Sequence, residues 1–334
     1  MRLTQIRDFV AVIECGGVRA AARKLGVAQP TITKSIRGLE AELRVLVPGA
    51  AGSPPDALAR IIGEPLAALG RPVLVDNRPG GIGTLALGVV AKAAPDGNTL
   101  GVIGLTQIVA PSLLPEIPYD FERDLALVTQ LVWTANVLVV RPSSPMTTAA
   151  DFVTLAKARP RQLTYATAGN GTPSHLAAAL FMHHAGIEVQ HVPFRGIPAG
   201  LAALMGEQVD VAFSGMATAL PLVQSGKLRA LGTAAARRLP SLPDLPTIAE
   251  AGYPGYQLTE WYGLAAPGGT PPEVVARLAS EWARAVALPQ TKARLAQLGL
   301  YPAEKSGPEA LLELVRTEQP RWKRIVRDAG IRAE

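Results

Sequence analysis

From residue 44 onward, short apolar strands, glycine-rich loops and helices alternate along the chain. RVLVP leads through GAAGSPPD into a helix, PVLVDN leads through RPGGIGT into LALGVVAKAA, and LTYAT leads through AGNGTPS into HLAAALFMHHAG. Such alternation is typical of a mostly parallel sheet whose strands are joined by right-handed crossovers. Because the pattern comes in two sets, it predicts an α/β protein with two lobes and a cleft between them.

Single elements follow from the local sequence. The first helix of this region is predicted over DALARIIGEPLAALG, where Pro65 predicts a kink or an early end because proline removes a helical hydrogen bond. TLGVIG and NVLVV (136–140) are predicted to be buried strands separated by an irregular stretch. VQHVPF and VDVAFSG are predicted to be strands of the second set.

Positive charge is concentrated at the N-terminus. Residues 1–44 hold eight Lys or Arg against four acids and so carry four of the six net positive charges. A basic segment on a nearly neutral body indicates a polyanion partner for that segment alone. Apolar residues make up 48% of the chain and charged residues 18%, which favours a well-buried globular fold over disorder.

Cysteine content and hydropathy narrow the class of protein further. Cys15 is the only cysteine, which excludes a disulfide framework and a cysteine metal site. The apolar run at residues 9–13 is too short for a secretory signal, and no stretch approaches the roughly 20 apolar residues of a membrane span. The sequence as written is therefore expected in the cytoplasm.

The basic segment is predicted to form three short helices. Gly16-Gly17 ends the first helix, Gly26 ends a second over residues 19–25, and a third opens with proline in its first turn. This is the helix-turn-helix layout, although a small amphipathic bundle with solvated charges explains the spacing equally well. In the first case, polar side chains meet base edges and basic ones meet phosphates. The DNA-contacting candidates are Gln29, Pro30, Thr31, Thr33, Lys34 and Arg37.

The same segment carries family motifs. RDFVAVIECGGVRAAARKLGVAQPTITKSIRGLEAEL, with its AAxxL, Q-P and I-x-x-L-E motifs, closely resembles the DNA-binding head of LysR-type transcriptional regulators. In that family the segment continues into a two-stranded wing and a long dimerisation helix. Here the strand at Val45 follows at once, so the resemblance implies a truncated head over residues 1–43. Ala28 stands where the family usually has Ser.

Three glycine-rich loops of the body lead to helix N-termini, at residues 50–53, 80–84 and 168–172. Free N–H groups and the helix dipole make such ends natural anion sites. Turns between strands and helices need glycine in any case, so a structural role explains each loop taken singly. None of the loops carries a nucleotide-binding motif. Loops from both lobes at one cleft favour a small anionic ligand, with hydroxyl donors from Ser53, Thr84, Thr106, Thr172 and Ser174.

Groups suited to catalysis are sparse. His183 and His184 are adjacent and cannot share a helix face, which disfavours a metal site. His175 is predicted to cap its helix or to touch a ligand. Asp56 and Asp210 are interpreted as caps or loop anchors, and they are the best acidic candidates for a place in the cleft. The body lacks a recognisable nucleophile–base pair, and no cofactor is predicted.

A second resemblance covers residues 44–334. Its motifs are LVPGAAGSPPDALAR, VDNRPGGIGTLALGVVAKAAPDGNTL, YATAGNGTPSHLA, VPFRGIPAGLAALMGEQVDVAF and WYGLAAPGGTP. They resemble the Bug family, the periplasmic solute receptors of tripartite tricarboxylate transporters. The resemblance implies a two-lobed, type II periplasmic-binding-protein fold after the small all-α head. Lobe 1 would comprise residues 44–141 and 263–334, and lobe 2 would comprise residues 142–262.

The resemblance also implies a ligand site. In the family a small carboxylate is held mainly by backbone and hydroxyl groups of the loop after the first strand and of the A-G-N-G-T loop. Gly81 is added from the glycine loops, Thr106 as a hydroxyl donor and Asp210 as an acidic candidate. The predicted ligand residues are Ala51, Gly52, Ser53, Asp56, Gly81, Thr106, Ala168, Gly169, Asn170, Gly171, Thr172, His175 and Asp210.

These features predict a non-enzymatic binding protein for a small carboxylate that carries a DNA-binding-like head. Its partners would be the carboxylate, DNA through residues 1–43, and transporter membrane subunits if the chain is exported. The alternative is a LysR-type one-component transcriptional regulator in which the body is the effector-sensing domain. A head without function is a further alternative, and an enzyme is the third class.

Overall fold

The computed structural model describes residues 3–32, 42–68 and 70–331. The helices within them are α1 (Leu3–Cys15), α2 (Val18–Leu25), α3 (Pro54–Ala68), α4 (Thr84–Ala91, after the 3₁₀ turn Gly81–Gly83), α5 (Leu105–Leu113), α6 (Ala149–Ala158), α7 (Pro173–Ala185), α8 (Ile197–Met205), α9 (Met216–Gln224), α10 (Pro272–Ala287), α11 (Pro289–Gln297) and α12 (Pro308–Asp328). The strands are β1 (Leu43–Val47), β2 (Val73–Asn77), β3 (Thr99–Gly104), β4 (Leu125–Val140), β5 (Thr164–Thr167), β6 (Gln190–Pro193), β7 (Val211–Gly215), β8 (Arg229–Thr233), β9 (Thr259–Pro267) and β10 (Tyr301–Pro302).

The first lobe is built on the strand order β2-β1-β3-β9-β4. β1 is parallel to β2 and β3, whereas β9 is antiparallel to both β3 and β4. β1 is almost wholly apolar because both of its faces are covered; Leu43, Val45, Leu46 and Val47 are at most 1% exposed. β1 and β3 end at the same edge of the sheet, and their loops lie there.

β4 runs through both lobes. Its first part, up to Ala135, pairs with β9, and from Asn136 onward it pairs with β7 and β8. In the second lobe, β5 lies between β6 and β7 and is parallel to both. The change of partner places the lobe junction on β4 itself, whereas the predicted lobe boundaries at 141/142 and 262/263 stay a proposal.

The predicted α/β architecture with two strand–loop–helix sets is present, but two details were predicted wrongly. The sheet is antiparallel at its centre and parallel only in its outer parts, because β4 and β9 cross between the lobes. Residues 125–135, expected to be irregular, belong to β4. Of the two outcomes predicted for Pro65, an early end does not occur, because α3 continues to Ala68 with Leu66 buried against the core.

Two buried clusters hold the body together. One lies on the face of the first-lobe sheet covered by α3, α10 and α11, and it includes Leu58, Ile62 and Trp282. The other continues from the first lobe into the second and includes Phe181 and Trp322. Burial of each such large side chain contributes roughly 1.5–3 kcal/mol.

The N-terminal helices follow the predicted plan, with α2 starting one residue earlier than expected. Gly26 ends α2 in the left-handed conformation at φ 65°, and its N–H returns to the last carbonyls of the helix. Ala22 and Ile32 are buried together, and Lys24 pairs with Glu14 at 2.8 Å. Residues 29–32 are helical, as predicted for the start of a third helix. Across the described ranges, every helix is too short or too polar to span a bilayer.

Candidate functional site

The loop that follows β1 is held by Asp56, in the first turn of α3. The Asp56 carboxylate accepts the N–H of Gly52 at 2.9 Å, the amide of Asn77 at 3.0 Å and the guanidinium of Arg60 at 3.0 Å. Asn77 also donates to the carbonyl of Gly49. Asp56 therefore anchors its own loop, as one of the two predicted roles, while its predicted contact with a ligand stays a prediction. Its negative charge also occupies part of the anion-binding capacity of the α3 N-terminus.

The ionisation of Asp56 fits this anchoring role. Burial by itself would raise the pKa of the carboxyl, but hydrogen bonds from Arg60, Gly52 and Asn77, with the charge of Arg60, outweigh burial and lower it. The anchor thus stays ionised.

The tip of the same loop carries the predicted ligand residues Ala51, Gly52 and Ser53. Ala51 and Gly52 are exposed, while the Ser53 hydroxyl is buried and lacks a hydrogen-bond partner among the described residues. A buried polar atom without a partner costs about 1–3 kcal/mol. A ligand oxygen that reached Ser53 would remove this cost.

The second glycine loop is joined to α5 through Gln107. The Gln107 side-chain oxygen accepts the N–H of Gly104 at 2.8 Å, and its amide donates to the carbonyl of Ile82 at 3.1 Å. Ile82 has φ 55° and ψ 31°, a left-handed conformation that is strained for a β-branched residue. The Thr84 hydroxyl donates to the carbonyl of Gly81 at 2.7 Å. Contacts from two helices therefore maintain a strained backbone at this point.

The loop after β5 is closed by its own side chains. Ser174 accepts the N–H of Ala168 at 2.9 Å, and the Thr172 hydroxyl donates to the carbonyl of Gly169 at 2.6 Å. These hydroxyls, expected to contact ligand, shape the loop.

Three stacked rings, those of His175, His191 and Tyr165, support the loop after β5. His175 Nδ1 accepts the N–H of Gly171 at 3.1 Å, and its ring stacks on His191 at 4.4 Å and 3°. His191 stacks in turn on Tyr165 at 4.8 Å and lies 2.6 Å from the Thr167 hydroxyl. Burial lowers the pKa of His175; burial and the neighbouring His175 lower the pKa of His191 to about 4. Both rings are therefore neutral at neutral pH, and the stack carries no charge repulsion.

The glycine loops of the two lobes touch each other. A Cβ atom placed on Gly171 would lie 2.8 Å from Cδ1 of Ile82 and 3.3 Å from Cδ1 of Leu113. Gly171 itself has φ 72°, a conformation that favours glycine. The structure therefore brings together two of the predicted anion loops, one from each lobe, without side-chain atoms on the Gly171 side of the contact.

The remaining predicted ligand residues are placed less uniformly. Thr106 is half-buried in the first turn of α5, next to Gln107, and Asn170 is half-buried within the A-G-N-G-T loop. Asp210, interpreted from the sequence as a cap or loop anchor and as a candidate for the cleft, anchors the start of a strand. It precedes β7, and its carboxylate accepts the N–H of Thr164 at 2.9 Å and the hydroxyl of the same residue. Thr164 starts β5, so Asp210 lies at the end of that strand opposite the glycine loop.

A cavity of about 1080 Å³ opens beside the edge strand β6. It includes Asn170 and His175, but its other walls come from α7, residues 186–191 and residues 329–331. None of the first-lobe glycine loops lines it. This cavity is therefore distinct from the contact between Gly171 and Ile82.

The sequence interpretation missed the side chains that organise the loops. Gln107 lies in the first turn of α5, and Asn77 is the last residue of β2. Polar residues at such positions contact ligands or loops in α/β sheets. Their position after a buried strand was the available signal.

The predicted DNA contacts lie partly outside the described residues. Gln29, Pro30 and Thr31 are exposed at the start of the third helix. Thr33, Lys34 and Arg37 fall outside the part of the chain that the structure describes.

Comparisons with known proteins agree on the body. The profile of the tripartite tricarboxylate transporter family receptor matches residues 58–331. A UPF0065 protein from the tcbD-tcbE intergenic region of Pseudomonas sp. (strain P51) is 36% identical over 283 residues, covering 84% of each chain. Rhodopseudomonas palustris Rpa4515 with adipate is 33% identical with a TM-score of 0.80, over 87% of this chain and 98% of that one. MatC (Rpa3494) of the same organism, with bound malate, is 36% identical with a TM-score of 0.77, over 85% and 98%.

These similarities confirm the predicted two-lobed periplasmic-binding-protein fold. The head has its own match, because the profile of the lysR family of bacterial regulatory helix-turn-helix proteins covers residues 3–46. The regulator TcbR of Pseudomonas sp. (strain P51) is 45% identical over 47 residues, which are 14% of this chain and 16% of that one. Both of these similarities to regulators cover the head.

Proposed function

This chain belongs to the tripartite tricarboxylate transporter receptor family, and from that premise we propose that its body binds a small carboxylate between the two lobes. The contact of Gly171 with Ile82 carries the proposal, because it brings a glycine loop from each lobe to one place. Malate and adipate in two solved relatives support a carboxylate as the ligand class. The backbone and hydroxyl groups of residues 51–53, 81, 106 and 168–172 are the proposed ligand contacts.

A binding screen on the full chain tests this function. Mono-, di- and tricarboxylates at millimolar concentration, malate and adipate among them, are compared by thermal shift and then by calorimetry. A ligand at 100 times its Kd stabilises the folded state by about 2.7 kcal/mol through mass action, which raises the melting temperature by several degrees. Amino acids and sugars serve as controls. A flat response to every acid would refute the proposal.

The receptor role carries further assignments. Since the family consists of solute receptors, we assign no catalytic step to the body. Membrane subunits of a transporter are the partners that fit such a receptor. Two solved relatives are described as periplasmic, which supports the periplasm as the compartment of the receptor role. The cytoplasmic location expected from the sequence stays a prediction.

A second function concerns the head. We propose that residues 1–43 bind DNA weakly and with little sequence preference, since the exposed start of the third helix and the basic charge fit a DNA surface. A truncated head makes few phosphate contacts and lacks a second half-site. Fluorescence anisotropy with duplex DNA should show binding that fades toward physiological salt and does not respond to carboxylates. Tight, palindrome-specific and ligand-dependent binding would favour the regulator alternative instead.

A further inference from the structure

The strand junction between the lobes holds a buried carboxyl group. β3 ends at Gly104, which lies opposite Tyr262 near the start of the antiparallel β9. β7 of the second lobe ends at Gly215, opposite Asn136 of β4. The carboxyl ends of parallel strands from both lobes therefore meet here, and ligands of open α/β sheets bind at such ends.

Glu260, on β9, is the carboxyl group in question. The Tyr262 hydroxyl donates to one of its oxygens, and the Asn136 amide donates to the other at 3.1 Å. Glu260 is 5% exposed and Asn136 1%, whereas Tyr262 is half-buried. An ionised carboxylate in such a place is costly unless a cation pairs with it.

Neighbouring elements supply no such cation among the described residues. Among the described residues, Tyr262 is the one titratable group that affects the pKa of Glu260, through its hydrogen bond to the carboxyl group. β4 brings the neutral Asn136 and Thr134, and the Thr134 hydroxyl donates to the carbonyl of Gly299. β3 and β7 end at the junction with the uncharged Gly104 and Gly215. The buried hydroxyl of Ser214, beside Gly215, donates to the Gly215 carbonyl.

The junction also has unused hydrogen-bonding capacity. The side-chain oxygen of Asn136 is buried without a partner in the described structure, and so is the hydroxyl of Thr233 on β8. β8 pairs with β4 at this point, with Thr233 opposite Val137. The polar groups here exceed the partners that the protein itself provides, which is typical of a site completed by a ligand or water.

Protonation of Glu260 changes the direction of one hydrogen bond. Burial raises the pKa of Glu260, and the hydrogen bonds from Tyr262 and Asn136 offset this only in part. The neutral acid donates its O–H to the Tyr262 oxygen, so the Tyr262 hydroxyl hydrogen is released from Glu260 and becomes available to another acceptor. One proton enters from solvent, and no bond between heavy atoms forms or breaks. An arriving carboxylate favours this state because an ionised Glu260 would repel it.

We propose that Tyr262 and Glu260 are specificity-determining residues of the carboxylate site, Tyr262 donating to a ligand carboxylate while Glu260 takes up one proton. This proposal rests on the carboxylate-binding function proposed above. It selects acids that place a carboxylate at the strand junction, and it couples their binding to pH.

Calorimetry on the full chain tests the pair, with malate, adipate and the other acids of the screen as probes. Titrations in two buffers of different ionisation enthalpy, from mildly acidic to alkaline pH, measure the protons taken up per ligand. We expect uptake that approaches one proton where free Glu260 is ionised, and affinity that falls by up to tenfold per pH unit there. Glu260→Gln keeps a neutral donor to Tyr262, so it should bind without proton uptake and with little pH dependence.

Tyr262→Phe removes the donor to a charged group, which should weaken binding roughly ten- to hundredfold. Tyr256→Phe is the matched control, because the Tyr256 hydroxyl donates to the carbonyl of Ala177 inside the second lobe. The control should bind and take up protons as the parent does. Parental affinity in Tyr262→Phe, or parental proton uptake in Glu260→Gln, overturns the assignment while the carboxylate function stands. If no acid binds the parent, the carboxylate function fails and the assignment fails with it.

Discussion

Gly171 offers the sharpest test of how the lobes close on a ligand. Its Cα hydrogen faces Ile82 and Leu113 of the other lobe, and a Cβ atom there would lie 2.8 Å and 3.3 Å from their terminal methyl groups. Carbon atoms pack best at about 3.5–4.0 Å. Gly171→Ala should therefore weaken ligand binding by opposing the contact between the lobes.

Gly171→Ala has two separate energetic effects, one on stability and one on ligand affinity. The left-handed backbone at φ 72° costs alanine about 1–2 kcal/mol whether or not ligand is bound, so it lowers stability without changing affinity. The clash arises only when the loops meet. Relief requires Ile82 to leave its rotamer, at about 0.5–1.5 kcal/mol, which corresponds to a roughly two- to tenfold weaker affinity.

Gly186→Ala is the matched control. Gly186 ends α7 with φ 61°, and a Cβ there would meet no atom within 4 Å. Thermal melts should show a similar loss of stability in both variants, while calorimetry should show weaker binding in Gly171→Ala alone. Shortening the opposing side chain in Gly171→Ala/Ile82→Ala should restore affinity. Equal affinity in Gly171→Ala and Gly186→Ala would refute the argument that this contact forms part of the closed state.

Two further predictions concern stability. Asp56→Asn should lower the free energy of unfolding by about 1.5–3 kcal/mol at neutral pH, the range for hydrogen bonds to a charged group. Because the pKa of Asp56 is lowered, the difference from the parent should shrink as the pH falls below the ordinary aspartate range. In urea titrations, the control Asp244→Asn, at an exposed position, should show no such difference. The pKa of His191 is lowered from 6.5 to about 4, so on acidification the unfolded chain takes up a proton at this residue before the folded chain does. The free energy of unfolding should therefore decline as the pH falls from 6.5 to about 4. If His191→Gln showed the same slope of melting temperature against pH as the parent, this reasoning would be contradicted.

The sequence located the glycine loops because small residues between a buried strand and a helix leave a local signal. It did not reveal which groups accept hydrogen bonds from the backbone N–H groups of those loops. The N–H of Gly52 goes to Asp56 and that of Gly171 goes to His175. Such pairings depend on rotamers and on packing with distant strands, which no local pattern encodes.

Two features of the lobe junction, the length of β4 and the burial of Glu260, were missed for a different reason. Residues 125–135 are buried on both faces of β4, so their apolar residues show no clear period of two. A glutamate in a strand is ordinarily expected to face solvent, whereas Glu260 is buried where β9 pairs with β4. Long-range pairing, rather than local preference, therefore decided both features.

The attachment of the head limits how a ligand could control it. The head enters the body through β1, where the N–H of Leu43 donates to Pro72 and that of Arg44 donates to Asn98, both in the first lobe. β1 pairs within the first lobe, whereas β4 changes its partners at Asn136, between the lobes. A hinge motion at Asn136 would therefore move the second lobe and leave β1 paired in the first-lobe sheet. Lobe closure by itself therefore does not reposition the head against the first lobe. Ligand control of DNA binding would need a contact between the head and the second lobe, or between two copies of the chain.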